Sequence, residues 1–400
     1  MESGTSSLEA FSGYRWTYFF ELPEGALRSR AESFLRSVNW PGLLEFATKD
    51  GISGTLLSDI GLGQNHMVRI IEFPDGTRWL ARLELPPLPG SEHSEDVLVA
   101  KRSCEITTIS FLRQMTSIRI PQIYEFDLRS DCNVGAPFTI MECLPGNAGM
   151  DIAMTIPPVY KHKILRDLAK IHVQLSKTLL PKIGTITSIN EDGTCQQGPI
   201  PGLGGPFDTA TQFFQAWATK AKFGVTDEQL RQASGAYADE IAQSVSVFAK
   251  SISDLASKLS LRDGGPFPVW NSDWGWNNNV YDEDGNLLGS VDWEKTFAAP
   301  WELFADYPLG LTTIPPAMDA PWNYDENGYP KDAELAQRFA DQQEYITAVR
   351  QEEILIGGTE CRLSQGLSDT RRQQLASAMR LYLDGKPGFY SKVVDQFMSR

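Results

Sequence analysis

Apolar and polar residues alternate along two stretches in the amino-terminal third of the chain. Residues 67–73 and 79–83 alternate as half-buried β-strands do, and Pro74-Asp75-Gly76 separates them with turn-forming residues. A turn containing Gly61 and Gly63 precedes the first strand. The pattern predicts an antiparallel arrangement, which is extended by strands at 118–126 and 137–141 and a helix at 97–115.

After residue 160 the spacing of apolar residues changes from that of strands to that of helices. Isoleucine and leucine recur every three or four positions between residues 160 and 179, as on one face of an amphipathic helix. A hairpin is predicted at 183–200 around Asp192-Gly193, and Thr226 with Gln229 forms a capping box that starts a helix. Further helices are predicted over residues 207–223, 226–261, 332–355, 368–383 and 388–398. Residues 1–50 are predicted to be partly helical and to pack against the small sheet.

The composition and the net charge indicate a globular protein and limit its possible partners. The chain has 400 residues, of which 42% are hydrophobic and 22% charged, as in ordinary globular proteins. The net charge of −15 argues against a nucleic acid or an anionic membrane as partner. The acidity also implies that any polyphosphate site is locally basic or neutralised by a metal, and it favours a cationic or neutral, polyhydroxylated small-molecule substrate.

The spacing of the cysteines and histidines bears on the compartment of the protein and on metal binding. The five cysteines are scattered and form no paired motif, which predicts reduced thiols and a cytoplasmic location. The four histidines lack metal-ligand spacing, so we expect no zinc site. The amino terminus lacks the pattern of a signal peptide, and no apolar run reaches the ~20 residues that a membrane span needs.

The most informative stretch is residues 268–294. Asp273 and Asn278 precede a predicted hairpin that turns at Asp284-Gly285, and Asp292 follows it. The loop and the outgoing strand could bring the three side chains to one point. Phosphoryl transfer requires such a set, because a carboxylate must orient the attacking hydroxyl and oxygen ligands must hold Mg²⁺. The alternative is that Asp, Asn and Gly simply enrich two turns.

The same stretch resembles the aminoglycoside phosphotransferase and choline kinase family, as a divergent, fungal-type member. That family reads His-x-Asp, four residues, Asn, and then Ile-Asp-Trp/Phe-Glu; this chain reads Asn271-Ser-Asp273 and Val291-Asp-Trp-Glu294. Glu142-Cys-Leu-Pro-Gly146 resembles the family's inter-lobe hinge. The resemblance implies an α+β, two-lobed protein-kinase-like fold, with an antiparallel-sheet N-lobe and a larger, mainly helical C-lobe. The implied divisions are an N-terminal extension at 1–50, an N-lobe at 51–142 and a C-lobe at 143–400 with a helical insert at about 207–261.

The resemblance also implies roles for individual residues in an ATP- and Mg²⁺-dependent transfer to a small-molecule hydroxyl. Asp273 would be the base, and Asn278 and Asp292 would hold Mg²⁺. Arg82 would stand in place of the family's lysine and bind the phosphates of the nucleotide, with Glu105 as its carboxylate partner. The turn containing Gly61 and Gly63 and the hinge main chain of Glu142 and Leu144 would complete the nucleotide site. Aromatic residues of the insert would form the acceptor wall, with packing in the core as the equally open alternative: Phe213, Phe214 and Trp217.

Two positions depart from the family. Asn271 replaces the histidine that braces the loop of the base, and it could brace the loop by hydrogen bonding. Arg82 replaces the lysine, keeping the charge with a different geometry. Tryptophans crowd the motif at positions 270, 274, 276 and 293. Two alternatives therefore stay open: a repurposed enzyme of secondary metabolism that performs acid–base chemistry on an aromatic metabolite, and a non-catalytic pseudokinase.

Overall fold

The computed structural model describes residues 22–88, 94–149, 151, 156–357 and 362–399. Its helices are α1 (Ala26–Ser37), α2 (Trp40–Phe46), α3 (Glu95–Met115), α4 (Lys161–Lys177), α5 (Ala210–Lys220), α6 (Asp227–Ser234), α7 (Ala238–Leu259), α8 (Trp301–Phe304), α9 (Ala333–Leu355), α10 (Arg362–Ser368), α11 (Thr370–Leu383) and α12 (Tyr390–Met398). Residues 1–21 of the predicted extension, His93 and Cys361 lie outside the described residues.

The strands are short in most of the chain. They are β1 (Thr48–Lys49), β2 (Ile52–Ser53), β3 (Thr55–Leu62), β4 (His66–Glu72), β5 (Arg78–Glu84), β6 (Ile123–Asp127), β7 (Phe138–Glu142), β8 (Asn147–Ala148), β9 (Leu179–Leu180), β10 (Thr185–Ile189), β11 (Cys195–Gly198), β12 (Phe267–Asn271), β13 (Asn279–Tyr281), β14 (Leu287–Ser290) and β15 (Thr296–Ala298).

The chain divides into two compact units. The first comprises residues 1–109, 118–160 and 276–294, and the second comprises residues 110–117, 161–275 and 295–400. Antiparallel sheets dominate the first unit and helices dominate the second, which confirms the α+β class predicted from the sequence.

The first unit is built on an antiparallel sheet in the order β3-β4-β5-β7-β6. Its pairing is regular along β4 and β5, where every residue from His66 to Glu72 has a partner. Helices α1 and α2 bury Phe34 and Leu43 in the same apolar core as Met67 and Phe138 of the sheet. The predicted packing of the amino-terminal helices against the sheet is therefore confirmed for the residues from 22 onward.

Two local predictions in this unit were wrong. Gly61 lies within strand β3, opposite Val68, and the turn begins only at Gly63. The strand predicted from residue 118 begins at Ile123. Pro121 has no N–H to donate to a ladder, and the carbonyl of Arg119 instead accepts a hydrogen bond from the N–H of Ser290.

A second sheet of the first unit has the order β14-β13-β8. Its hairpin turns at Asp284-Gly285, as the sequence predicts, and Gly285 has a φ of +66° that a residue with a side chain rarely adopts. The register places Asn279 opposite Ser290, so the residues just before β13 and just after β14 lie together at the open end of this hairpin.

The second unit is mainly helical. Helix α4 packs against α9, α5 against α7, and α12 against both α7 and α11. The predicted capping box of Thr226 and Gln229 is present at the start of α6. Strand β12 lies between β9 and β15, and its register places Asn271 opposite Thr296. Helix α10 was not predicted as a separate element, because the pattern placed the start of that helical stretch at residue 368.

Candidate active site

Asn278 and Asp292 lie at the open end of the β13–β14 hairpin. The carbonyl oxygen of Asn278 accepts a hydrogen bond of 2.9 Å from the N–H of Val291, so Asp292 is the next residue beyond this pair. Asp292 has a φ of +61°. Such a conformation costs a residue with a side chain about 1–3 kcal/mol and is concentrated at functional sites. The hairpin thus supplies one amide oxygen and one carboxylate at neighbouring positions.

A charged cluster joins this hairpin end to the large sheet of the same unit. Arg82 lies on β5, and its Nη1 donates to Glu105 Oε1 of α3 at 2.9 Å. Its Nη2 contacts Asp292 Oδ1 at 3.3 Å. Only 15% of the Arg82 side chain and 13% of the Glu105 side chain are exposed, compared with 33% for Asp292. The predicted Arg82–Glu105 ion pair is therefore present, and Arg82 also reaches the carboxylate predicted to bind metal.

The charges in this cluster shift one another's titration. Burial lowers the pKa of Arg82, but the carboxylates of Glu105, Asp292 and Glu294 outweigh it, so the net pKa of Arg82 is raised. Burial raises the pKa of Glu105, and the other two carboxylates raise it further against the opposing effect of Arg82. The arginine thus remains charged, and its attraction opposes the upward shift in the pKa of Glu105.

The other residues predicted to bind nucleotide are placed as follows. Gly63 is exposed in the β3–β4 turn, where its N–H donates to the His66 carbonyl at 2.8 Å. The carboxylate of Glu142 accepts a hydrogen bond from the Arg119 side chain, and the backbone N–H of Glu142 donates one to the Gln122 carbonyl. The carbonyl of Leu144 accepts from the Gly146 N–H at 3.0 Å.

Asp273 belongs to the second unit, in the loop that follows β12. The side-chain oxygen of Asn271 accepts a hydrogen bond of 2.9 Å from the Asp273 N–H, and only 3% of Asn271 is exposed. This hydrogen bond is a contact by which Asn271 could brace the loop, and that role stays a prediction. Lys295 Nζ lies 3.0 Å from Asp273 Oδ2, so Asn271 holds the backbone of Asp273 and Lys295 contacts its carboxylate.

A cavity of about 450 Å³ opens beside Asp273 within the second unit. This volume falls in the range of ~300–1,000 Å³ that is usual for small-molecule sites. Phe213 and Trp217 line it, whereas Phe214 is buried elsewhere, and the acceptor-wall role of the two lining residues stays a prediction. The remaining polar and aromatic lining comes from Lys220, Trp270, Ser272, Lys295, Phe297, Arg380 and Asp384.

The tryptophans of the motif have different surroundings. Trp274, Trp276 and Trp293 are each at most 5% exposed and pack as core residues of their own units. Trp270 lines the cavity and packs edge-to-face on Phe297 with 5.4 Å between ring centroids. Most of the tryptophan enrichment is therefore explained by packing, and one ring faces the space beside Asp273.

In the first unit, the structure brings together Arg82, Glu105 and Asp292, and Asn278 lies at the same hairpin end as Asp292. In the second unit, it brings together Asn271 and Asp273. The convergence of Asp273 with Asn278 and Asp292 stays a prediction, because these residues belong to different units. Sequence reasoning missed Lys295. Its signal was its position directly after the Val291–Glu294 motif, on the chain that pairs with the strand before Asp273.

Comparisons with known proteins find similarity to solved structures at low sequence identity. No protein-family model and no curated protein matches the chain. Among solved structures, an ethanolamine kinase from Plasmodium vivax is 13% identical with a TM-score of 0.45, covering 99% of this chain and 94% of that one. A candidate aminoglycoside phosphotransferase from Ralstonia eutropha is 13% identical with a TM-score of 0.45, covering 90% and 98%. A type I macrolide 2'-phosphotransferase is 14% identical with a TM-score of 0.37, covering 90% and 97%. Similarity at these identities and TM-scores assigns no activity to the chain.

One further property bears on location. Within residues 22–88, 94–149, 156–357 and 362–399, none of the helices combines the length and the apolar composition that a bilayer crossing requires.

Proposed function

We propose that this protein is an ATP-dependent phosphotransferase that acts on a hydroxyl group of a small molecule. The observation that carries the proposal is the contact of Arg82 with both Glu105 and Asp292 in the first unit. A buried guanidinium held between two carboxylates, one of them partly exposed, is suited to meet the negative charge of a polyphosphate.

The transfer itself needs little covalent chemistry from the protein. The acceptor oxygen forms a bond to the terminal phosphorus of ATP, the bond to the bridging oxygen breaks, and ADP leaves. The hydroxyl proton passes to the carboxylate of Asp273. Asn271 holds the backbone of Asp273 and Lys295 contacts its carboxylate, so the hydroxyl is oriented before it reacts.

The residues at the hairpin end fit a magnesium ion. Asn278 and Asp292 offer an amide oxygen and a carboxylate oxygen, which are ligands that a hard cation accepts. Mg²⁺ is commonly bound through one or two carboxylates plus substrate phosphates rather than by an all-protein cage. When bound, the ion would neutralise charge on the phosphates. The main chain of Glu142 and Leu144 is proposed to bind the adenine, and the turn at Gly63 to cover the phosphates.

The proposed compartment is the cytoplasm. Among the described residues, Cys104, Cys132, Cys143 and Cys195 form no disulfide, which supports a reducing environment.

One observation favours a second candidate function. Arg82 Nη2 contacts Asp292 Oδ1, so the cation already compensates the carboxylate that would bind metal. If Arg82 holds that position permanently, the chain would be a binding protein, or an enzyme using Asp273 as acid or base, without phosphoryl transfer.

Nucleotide binding distinguishes the two. We expect ATP with Mg²⁺ to raise the melting temperature of the wild type, and ATP with EDTA to raise it much less. Asp292→Asn should lose the Mg²⁺-dependent part. Asp395→Asn removes the same charge from the exposed face of α12 and should behave as the wild type. If neither ATP nor GTP at saturating Mg²⁺ shifts the wild type, phosphoryl transfer is excluded in favour of the second candidate.

A further inference from the structure

The cavity beside Asp273 differs in charge from the rest of the chain. The whole protein has a net charge of −15, yet the cavity lining contains Lys220, Lys295 and Arg380 against Asp273 and Asp384. A chain with so strong an excess of acidic residues would be expected to present acidic side chains to a cationic substrate. Here basic side chains outnumber the acidic ones at the surface that a substrate would touch.

Two of the three cations are already engaged by carboxylates. Lys295 contacts Asp273 at 3.0 Å. Arg380 contacts Asp306 at 3.2 Å and Asp384 at 3.5 Å. A cationic substrate would have to compete with these basic groups for the carboxylates, and Asp273 would have to exchange its lysine for the substrate's amine.

Lys220 is different. It lies in the last turn of α5, is exposed, and makes no ion pair with any residue in the described part of the chain. Its Nζ lies beside Gly204, in the same loop whose residues 200–203 line the cavity. Its charge is therefore available to a ligand that occupies the cavity.

The walls between these charges are apolar and aromatic. Trp270 and Phe297 pack at 81° with 5.4 Å between centroids, and Phe213 stacks on Phe297 at 6.3 Å. Aliphatic side chains complete the surface: Leu203, Leu303, Leu309, Met379 and Leu383. Such walls favour an apolar body, because burying apolar surface is favourable. A hydroxyl or amine left without a partner against them is destabilising.

We propose that the acceptor is an aromatic, or similarly apolar, hydroxylated carboxylic acid. Its ring lies against Trp270 and Phe297, its hydroxyl meets Asp273, and its carboxylate pairs with Lys220. The proposal rests on the proposed function, since only a transfer reaction has an acceptor. It replaces the expectation of a cationic or polyhydroxylated substrate, which the net charge alone suggested.

The test is calorimetric binding to the full chain without nucleotide, using three probes that share one ring: para-hydroxyphenylacetate, para-hydroxyphenylacetamide and tyramine. We expect the carboxylate to bind about 2–5-fold more tightly than the neutral amide, since Lys220 offers it an ion pair that water partly screens. Tyramine should bind most weakly. Lys220→Gln should reduce the carboxylate's affinity to that of the amide and leave the amide's affinity unchanged.

Lys222→Gln is the matched control. It removes the same charge two positions along the chain, from an exposed residue outside the cavity lining, and should behave as the wild type. Trp270→Leu should weaken the carboxylate and the amide together, because it removes the shared ring contact.

Equal affinities for the three probes, tighter binding of tyramine, or no binding of the carboxylate would overturn the proposal. Because these measurements omit nucleotide, they are independent of the melting experiment with ATP. Binding of the carboxylate in a chain that binds no nucleotide would retain the ligand class and exclude the transfer reaction.

Discussion

The two units present their candidate residues in opposite ways. In the first, Arg82 is buried and both of its carboxylate contacts are made by side chains of that unit. In the second, Lys295 and Asp273 form a pair whose side chains are 52% and 34% exposed, beside a cavity with aromatic walls. One region is a compact network of charges, and the other is an accessible surface with an open volume.

This difference indicates where stability and selectivity reside. A buried charge that loses its partner is strongly destabilising, whereas an exposed pair contributes little because water screens it. Changes in the Arg82 cluster should therefore affect folding as well as nucleotide binding. Changes around Asp273 should affect the substrate and its reaction while leaving the fold intact. The four predictions below test this contrast.

The largest effect is expected for Asp273, the proposed base. Asp273→Asn should lower kcat by ~10²–10⁴-fold, because the neutral amide cannot accept the hydroxyl proton. Nucleotide affinity should stay within about twofold of the wild type by calorimetry. Turnover is measured as ADP release with the tightest-binding hydroxyl compound among the probes above. Retained turnover in Asp273→Asn would remove that residue from the mechanism.

Removing the buried cation should cost stability. Arg82→Met leaves Glu105 and Asp292 without their shared partner and should lower the free energy of unfolding by about 3 kcal/mol at pH 7, as measured in urea. Part of this loss should be regained below pH 7, because the pKa of Glu105, already raised by burial, rises further without Arg82 and the carboxyl takes up a proton. A loss below about 1 kcal/mol would show that the cluster is not energetically coupled.

The histidine in the helical core should make stability depend on pH. Burial lowers the pKa of His172 to about 4, while its ring nitrogens contact the Tyr345 hydroxyl and the Phe304 carbonyl. The unfolded chain binds a proton near pH 6.5 and the folded chain does not, so stability is lost as pH falls from 6.5 toward 4.

Between pH 7 and pH 5 the loss in the free energy of unfolding due to His172 amounts to about 2 kcal/mol. His172→Gln should remove this loss from the pH profile of urea unfolding. His162→Gln, which alters a highly exposed histidine on the same helix, provides the control. A wild-type profile that keeps its slope in His172→Gln would assign the pH dependence to other groups.

The smallest effect is expected for the exposed cation. Lys295→Met should change the free energy of unfolding by less than about 1 kcal/mol, because its pair with Asp273 is partly solvated. Urea unfolding in parallel with Arg82→Met gives the comparison directly. Similar losses for the two variants would contradict the contrast between a buried network and an open site.

Much of the local structure was predictable. The alternation at 67–73 and 79–83 corresponds to β4 and β5, and the Asp284-Gly285 turn forms the predicted hairpin. The errors occurred where local pattern and backbone bonding disagree. Gly61 looked like a turn residue but pairs with Val68, and residues 118–122 looked like a strand but contain Pro121 and bond to Ser290.

The candidate site was predictable in part. The spacing around the hairpin placed Asn278 and Asp292 at one hairpin end, and the resemblance to the kinase-like family suggested Glu105 as the partner of Arg82, a pair that the structure contains. Lys295 was missed because its contact with Asp273 arises from the pairing of β12 with β15, which residues 272–295 separate in sequence.

The sequence by itself determined the element types, the hairpin and the polar residues that could carry the chemistry, since these depend on periodicity and turn preferences over a few residues. Only the tertiary structure decided which tryptophans are core, which cation pairs with which carboxylate, and what sign of charge faces the cavity. Those outcomes depend on burial and on pairs of side chains distant in sequence, and net charge does not report them.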